Sequence, residues 1–259
     1  MKRFATALVI FMVICGLPVA IFSQGISHGA VTRGDTTQPE IALIFTGGDY
    51  NDGGVEILHT LSAENVPAGF FFTGGFYRNP ENTRLIRDLK SAGHYLGPHS
   101  DQHLLYCSWE NRDSLLVTKD EFTSDILTNY GIMDSLFGVD KEAAPYFIPP
   151  YEWYNDSIAA WSKELGLMLF NYSPGTISPA DYTTPEMPNY RSSDEIWESI
   201  TSYERNSPNG MNGFILLVHI GTHPDRTDKF YYRLGELITY LRNQGYSFVR
   251  IDQLLENST

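Results

Sequence analysis

From Pro39 onward, short apolar runs alternate with stretches whose apolar residues recur at helical spacing. The apolar runs predict seven strands: Glu40–Thr46, Gly69–Thr73, His94–Pro98, Tyr146–Pro149, Leu167–Asn171, Phe214–His219 and Ser247–Ile251. Ile41-Ala42-Leu43-Ile44-Phe45 and Phe214-Ile215-Leu216-Leu217-Val218 are unbroken, the pattern of strands covered on both faces. The helical stretches have readable ends. Asn79-Pro80 supplies a cap and a first-turn proline before Leu85, Ile86 and Leu89, and Gly93 stops that helix. Thr118-Lys119-Asp120-Glu121 has the form of a capping box ahead of Phe122, Ile126 and Leu127. Asp228 to Asn243 carries Leu234, Leu237, Ile238 and Leu241 on one face and ends before Gly245. Such alternation predicts an α/β fold with a parallel sheet, open or closed into a barrel. Asn171 to Arg191 contains four prolines and no helical pattern. A loop of that length inside a compact domain is often functional.

The beginning of the chain reads differently. Lys2 and Arg3 precede an apolar run from Phe4 to Phe22, and a small residue, Ser23, follows it. This predicts a signal peptide over residues 1–23 and an exported protein without stable membrane insertion once the leader is cleaved. A membrane anchor is the alternative, since the run approaches the roughly 20 residues that span a bilayer. Residues 24–38 are polar and rich in Gly, Thr and Ser, which predicts a flexible linker dispensable for folding. Residues 39–259 are then one domain. The formal charge of the whole chain is −13, and losing Lys2 and Arg3 with the leader makes it −15. A field of that sign repels nucleic acid. Of the two cysteines, Cys15 lies in the leader, so the core has to stabilise the mature chain without an internal disulfide.

The chemistry-bearing residues collect just after predicted strands, at the edge where parallel α/β folds keep their sites. His99 and His103 in Gly97-Pro98-His99-Ser100-Asp101-Gln102-His103 are spaced so that both rings can face one cation. Thr46-Gly47-Gly48-Asp49-Tyr50-Asn51-Asp52-Gly53-Gly54 is a glycine-rich turn with two carboxylates and no phosphate-loop lysine. Ile148-Pro149-Pro150-Tyr151-Glu152-Trp153-Tyr154 offers Pro150, Tyr151 and Trp153 as a surface for sugar rings. Leu216-Leu217-Val218-His219 closes the sixth predicted strand, and His223 follows it.

In this order the segments resemble the polysaccharide deacetylase family, the NodB homology domain of carbohydrate esterase family four. His99-Ser100-Asp101-Gln102-His103 is similar to its His-Ser/Thr-x-x-His motif, Pro149-Pro150-Tyr151 to the end of its Arg-Pro-Pro-Tyr motif, and Leu216-x-x-His219 to the motif carrying its general acid. The resemblance implies a distorted (β/α) barrel of about seven parallel strands, TIM-barrel-like. It implies a divalent metal, zinc by preference, on His99 and His103, an acid at His219, and an acetylated carbohydrate substrate. The sequence departs from the family where Thr46 and Gly47 stand in for a catalytic aspartate and an aspartate ligand, and where Ile148 replaces the arginine. No aspartate motif is recognisable around Phe170-Asn171-Tyr172-Ser173-Pro174. Gly47-Gly48 gives the first loop backbone freedom, so Asp49 is the expected third ligand. The base is left open among Asp101, Glu152 and Asp52. A metal-dependent deacetylase acting on N- or O-acetyl groups is one reading, and a degenerate barrel that binds sugar without turnover is the other.

Overall fold

The structure, a computed structural model, describes residues 25–256; the expected leader lies outside them. Nine strands are present among the described residues: β1 (Gly25–Ser27), β2 (Ala30–Arg33), β3 (Glu40–Gly47), β4 (Gly69–Phe72), β5 (Tyr95–Pro98), β6 (Tyr146–Phe147), β7 (Met168–Leu169), β8 (Phe214–His219) and β9 (Ser247–Phe248). The last seven are the expected ones, some with shorter ends.

The central sheet is parallel in the order β5-β4-β3-β8, and β9 pairs with the start of β3. All of β4 and β5 and all but one residue of β3 and of β8 are buried, which explains their unbroken apolar sequences. β6 and β7 form a separate parallel pair. Single hydrogen bonds instead of regular ladders link these two sheets and the β1–β2 hairpin. Tyr146 N donates to Tyr95 Oη at 3.0 Å, Asn171 N to the Val31 carbonyl at 2.8 Å and Ser173 N to the Ile215 carbonyl at 2.9 Å. The result is a distorted ring with helices outside it, including Gly54–Ala63, Thr83–Ser91, Lys119–Phe137, Ser193–Asn206 and Leu234–Asn243. The capping box at Thr118 and Glu121 forms as its sequence predicts. Phenylalanines fill the centre: Phe45 stacks on Phe70 at 5.0 Å and Phe71 lies 5.0 Å from Phe170.

One expectation fails at the N-terminus. The described part of the expected linker is folded: β1 and β2 form an antiparallel hairpin, Ala30 is fully buried, and Val31 bridges to Phe170 in parallel. Arg33 donates to the Asn212 carbonyl, Tyr203 Oη and the Gly210 carbonyl, each at 2.8 Å. The polar composition of the segment therefore reflects a strand that satisfies its neighbours' backbone groups, and the domain begins by Gly25. Among the described residues no helix is long and apolar enough to cross a membrane.

Candidate active site

The C-terminal ends of the strands open into a cleft of about 970 Å³ whose lining includes Thr46, Asp49, His99, Asp101, His103, Tyr151, Glu152 and His219. Each arrives by a local device. His99 follows β5, and its amide donates to the Phe72 carbonyl at 3.0 Å. Ser100 (φ 69°) and His103 (φ 55°) both take left-handed backbone, so the chain curls at once instead of continuing as strand or helix. Asp125, buried on the Lys119–Phe137 helix, fixes that curl by accepting from Asp101 N (3.1 Å), Gln102 N (2.8 Å) and Tyr106 Oη (2.8 Å).

The two imidazoles converge as their spacing predicts. His99 Nδ1 lies 3.0 Å from the Ile148 carbonyl, an acceptor only, so this nitrogen carries the proton and Nε2 carries the lone pair. That Nε2 is 3.2 Å from His103 Nε2. Burial first, and repulsion from His103 and His219 when those are charged, hold the His99 pKa well below its usual value, against the opposing pull of the Ile148 carbonyl. Burial and then His219 bring His103 down to about 4, against an opposing pull from Asp49. Both rings are therefore neutral near pH 7, the form that ligates metal.

Glu152 enters from the turn after β6. Tyr151 (φ 58°) and Glu152 (φ 53°) are consecutive non-glycine residues in the left-handed region, an arrangement costing on the order of 1–3 kcal/mol per residue. The strain is held by Asn171 Nδ2, which donates to the Glu152 carbonyl at 2.8 Å. Its effect is to turn the carboxylate inward, with Oε1 3.9 Å from His99 Nε2. Burial raises the Glu152 pKa to about 7, Asp181 adds to the rise and His219 opposes it.

His219 ends β8, where its Nδ1 donates to Asp181 Oδ1 at 2.6 Å and its amide donates to Asp181 Oδ2 at 2.9 Å. The ring is thus fixed with Nε2 free to act. Burial alone would lower its pKa, but the Asp181 charge and hydrogen bond outweigh that and raise it. Asp181 comes from a short 3-10 turn, Ser178–Tyr182, inside the proline-rich loop. The sequence reading missed it, although it singled out that loop.

Several expected roles need correction. Asp49 is exposed on the rim and does not close the histidine pair into a site. Asp101 is ion-paired to Arg78 and lies where a Cβ on Gly74 would be, which occupies the carboxylate as a candidate base. Asp52 accepts from Thr222 N at 2.8 Å, Lys229 Nζ is 2.8 Å away and Tyr231 Oη 3.0 Å. These partners lower its pKa despite burial and make it a latch between loops. Pro150 is buried, and Trp153 stacks under Arg112, 3.6 Å from guanidinium carbon to ring centre, so neither lines the cleft; Tyr151 does. Trp109, not singled out in the sequence, supplies the exposed indole that Trp153 does not.

A divalent cation suits the donor chemistry of the pair: two neutral imidazoles face each other, one with its tautomer set by a carbonyl. The position of the family's carboxylate ligand does not suit it. Gly47 has no side chain, and a Cβ there would come within 2.6 Å of Ile220 Cγ2 and 2.9 Å of Phe72 Cδ1. Among the described residues no group of three or more His, Cys, Asp or Glu side chains stands ready to hold a metal ion.

A distorted (β/α) barrel with a histidine-rich cleft at its C-terminal strand edge defines the class of protein. The chain belongs to the polysaccharide deacetylase family, whose model matches residues 33–170. It is 27% identical over 215 residues to a peptidoglycan-N-acetylglucosamine deacetylase of Bacillus cereus, covering 83% of this chain and 87% of that protein. It is 23% identical over 228 residues to a peptidoglycan-N-acetylmuramic acid deacetylase of Bacillus subtilis, covering 88% and 76%. Among solved structures, a pseudoenzyme of carbohydrate esterase family four from Bacillus anthracis superposes with a TM-score of 0.68 at 18% identity, covering 90% of this chain and 70% of that one.

The Asp181–His219 pair sets a pH signature. A histidine whose pKa is raised on folding adds stability that is complete below its unfolded value of about 6.5 and disappears as pH rises through the folded value. Asp181→Asn should therefore lower the melting temperature more at about pH 5.5 than at about pH 9.5. Equal losses at the two pH values would show that the pair acts only as a neutral hydrogen bond.

Proposed function

We propose that this protein is an exported, metal-dependent carbohydrate deacetylase that hydrolyses acetyl groups from an acetylated poly- or oligosaccharide. The observation that carries this reading is the convergence in one cleft of the His99–His103 pair, the Glu152 carboxylate and the Asp181-oriented His219 ring. The names of the relatives support the substrate class.

His99 and His103 would hold the cation, which would supply acidity to water and polarise the acetyl carbonyl. Glu152 accepts a proton from water as its oxygen bonds to the acetyl carbon. The bond from that carbon to the sugar nitrogen or oxygen then breaks, and His219 Nε2 delivers a proton to the departing atom. Asp181 holds the imidazolium form needed for that delivery. Tyr151, 45% exposed and 4.3 Å from the His103 ring, gives a sugar ring a face to rest on.

Acetate release from acetylated chito- and xylo-oligosaccharides, with divalent metal content measured in parallel, tests the reading. His99→Ala and His103→Ala should each abolish bound metal and turnover while leaving the melting temperature within a few degrees, because these side chains face the cleft. Metal retained at full occupancy in both variants would remove the pair from the reading. A second reading, sugar binding without turnover, is favoured by Thr46, whose buried Oγ1 has no hydrogen-bond partner where the family has its base. Sugar binding with no acetate released under any divalent metal would establish it.

A further inference from the structure

Apart from the His219 ring and the cation expected on His99 and His103, the charge lining the cleft is one-sided. Asp49, Asp101, Glu152, Glu186 and Asp225 all line it, and among the described residues no lysine or arginine does. The nearby cations are occupied. Arg78 is paired with Asp101 and Lys229 with Asp52, while Arg226 is fully buried and donates to the Thr183 and Arg191 carbonyls. Glu186, Asp225 and Asp49 are exposed on the rim, and among the described residues their one ion-pair partner is His223, 3.4 Å from Asp225. Between these acids run aromatic faces. Trp109 is 56% exposed and 5.8 Å from Tyr151, and Tyr182, 44% exposed, lies 5.3 Å from the His219 ring.

We infer that this cleft selects amino-sugar chains that are uncharged or carry free amines, and rejects glycans bearing carboxylates. The inference deepens the deacetylase reading and rests on the same site. Aromatic faces stack on sugar rings without regard to charge, so they provide the binding common to all such chains. The rim acids then discriminate. A carboxylate on the ligand meets three others at the protein surface, where like charges interact more strongly than in bulk water. A protonated amine meets the same groups with the opposite sign. Removal of an acetyl group from an N-acetyl sugar creates such an amine, so the product of one turnover becomes a favoured neighbour for the next.

Binding of four tetrasaccharides to the full chain, measured by calorimetry, tests this. They are N-acetylglucosamine tetramer, its glucosamine counterpart, an alternating N-acetylglucosamine–N-acetylmuramic acid tetramer, and the same muramyl tetramer with its lactyl carboxyls converted to amides. The amide keeps the bulk of the lactyl groups and removes their charge. At low salt the muramyl acid should bind about tenfold more weakly than its amide, the glucosamine tetramer should bind at least as well as the neutral one, and the acid–amide gap should close at about 1 M salt. Glu186→Gln combined with Asp225→Asn should narrow the gap. Equal binding of acid and amide at low salt overturns the inference, as does failure of all four to bind. Discrimination without acetate release leaves the inference standing and removes the deacetylase reading; acetate release without discrimination does the reverse.

Discussion

Glu152→Gln is expected to cut acetate release by about 10²–10⁴-fold, the usual worth of a general base, while His99 and His103 still bind metal. Glutamine keeps the shape of the side chain and cannot take a proton. The neighbouring carboxylates are poor substitutes: Arg78 holds Asp101, Lys229 and Tyr231 hold Asp52, and Asp49 is exposed on the rim. A second readout separates a catalytic role from a structural one. Burial raises the Glu152 pKa from 4.5 to about 7, so in the metal-free protein the folded state holds a proton that the unfolded state has released between those values. Stability falls across that window as pH rises, by up to on the order of 3 kcal/mol. Metal-free Glu152→Gln should therefore melt higher than the parent at about pH 8 and close to it at about pH 4. Turnover unchanged in Glu152→Gln would move the base elsewhere. His219→Ala should lose turnover on a similar scale and, unlike His99→Ala, keep its metal.

What the chain disclosed beforehand follows from how local each signal is. β3 and β8 were legible because a strand covered on both faces needs an unbroken apolar run, as Ile41–Phe45 and Phe214–Val218 provide. The histidine pair was legible because both imidazoles lie within one turn of chain. The Asp181–His219 contact was not, because it joins residues 38 positions apart and depends on how a proline-rich loop folds back. The inward aim of Glu152 was not legible either. It comes from left-handed backbone at Tyr151 and Glu152, and neither residue type announces that conformation. Trp153 misled for a related reason: an indole beside a candidate turn looks available for sugar, yet Arg112 covers it. Gly47 gave a false impression of freedom, since its lack of a Cβ admits Ile220 and Phe72 at close quarters and leaves Asp49 on the rim.

A chain beginning at Pro39 should unfold at far lower temperature than one beginning at Gly25, or lose cooperative unfolding altogether. Deleting the hairpin strands donors and acceptors inside the remaining domain. Asn171 N loses the Val31 carbonyl, Ser173 Oγ loses the Thr32 carbonyl at 2.6 Å, and the Gly213 carbonyl loses Gly34 N at 2.8 Å. The Asn212 and Gly210 carbonyls lose Arg33 as well. A buried polar group left without its partner costs about 1–3 kcal/mol, so several together match much of the 5–15 kcal/mol that stabilises an ordinary domain. A milder change isolates the turn. His28 (φ 44°) and Gly29 (φ 76°) are both left-handed, as a two-residue hairpin turn requires. A Cβ on Gly29 would also lie 2.7 Å from Ala159 Cβ. Gly29→Ala should therefore destabilise by about 1–3 kcal/mol through strain and contact. If the chain from Pro39 melts like the longer one, the hairpin is an ornament, and Gly29→Ala should then leave stability unchanged; a loss in both places it in the ring that holds Asn171, and through Asn171 the strained turn that aims Glu152.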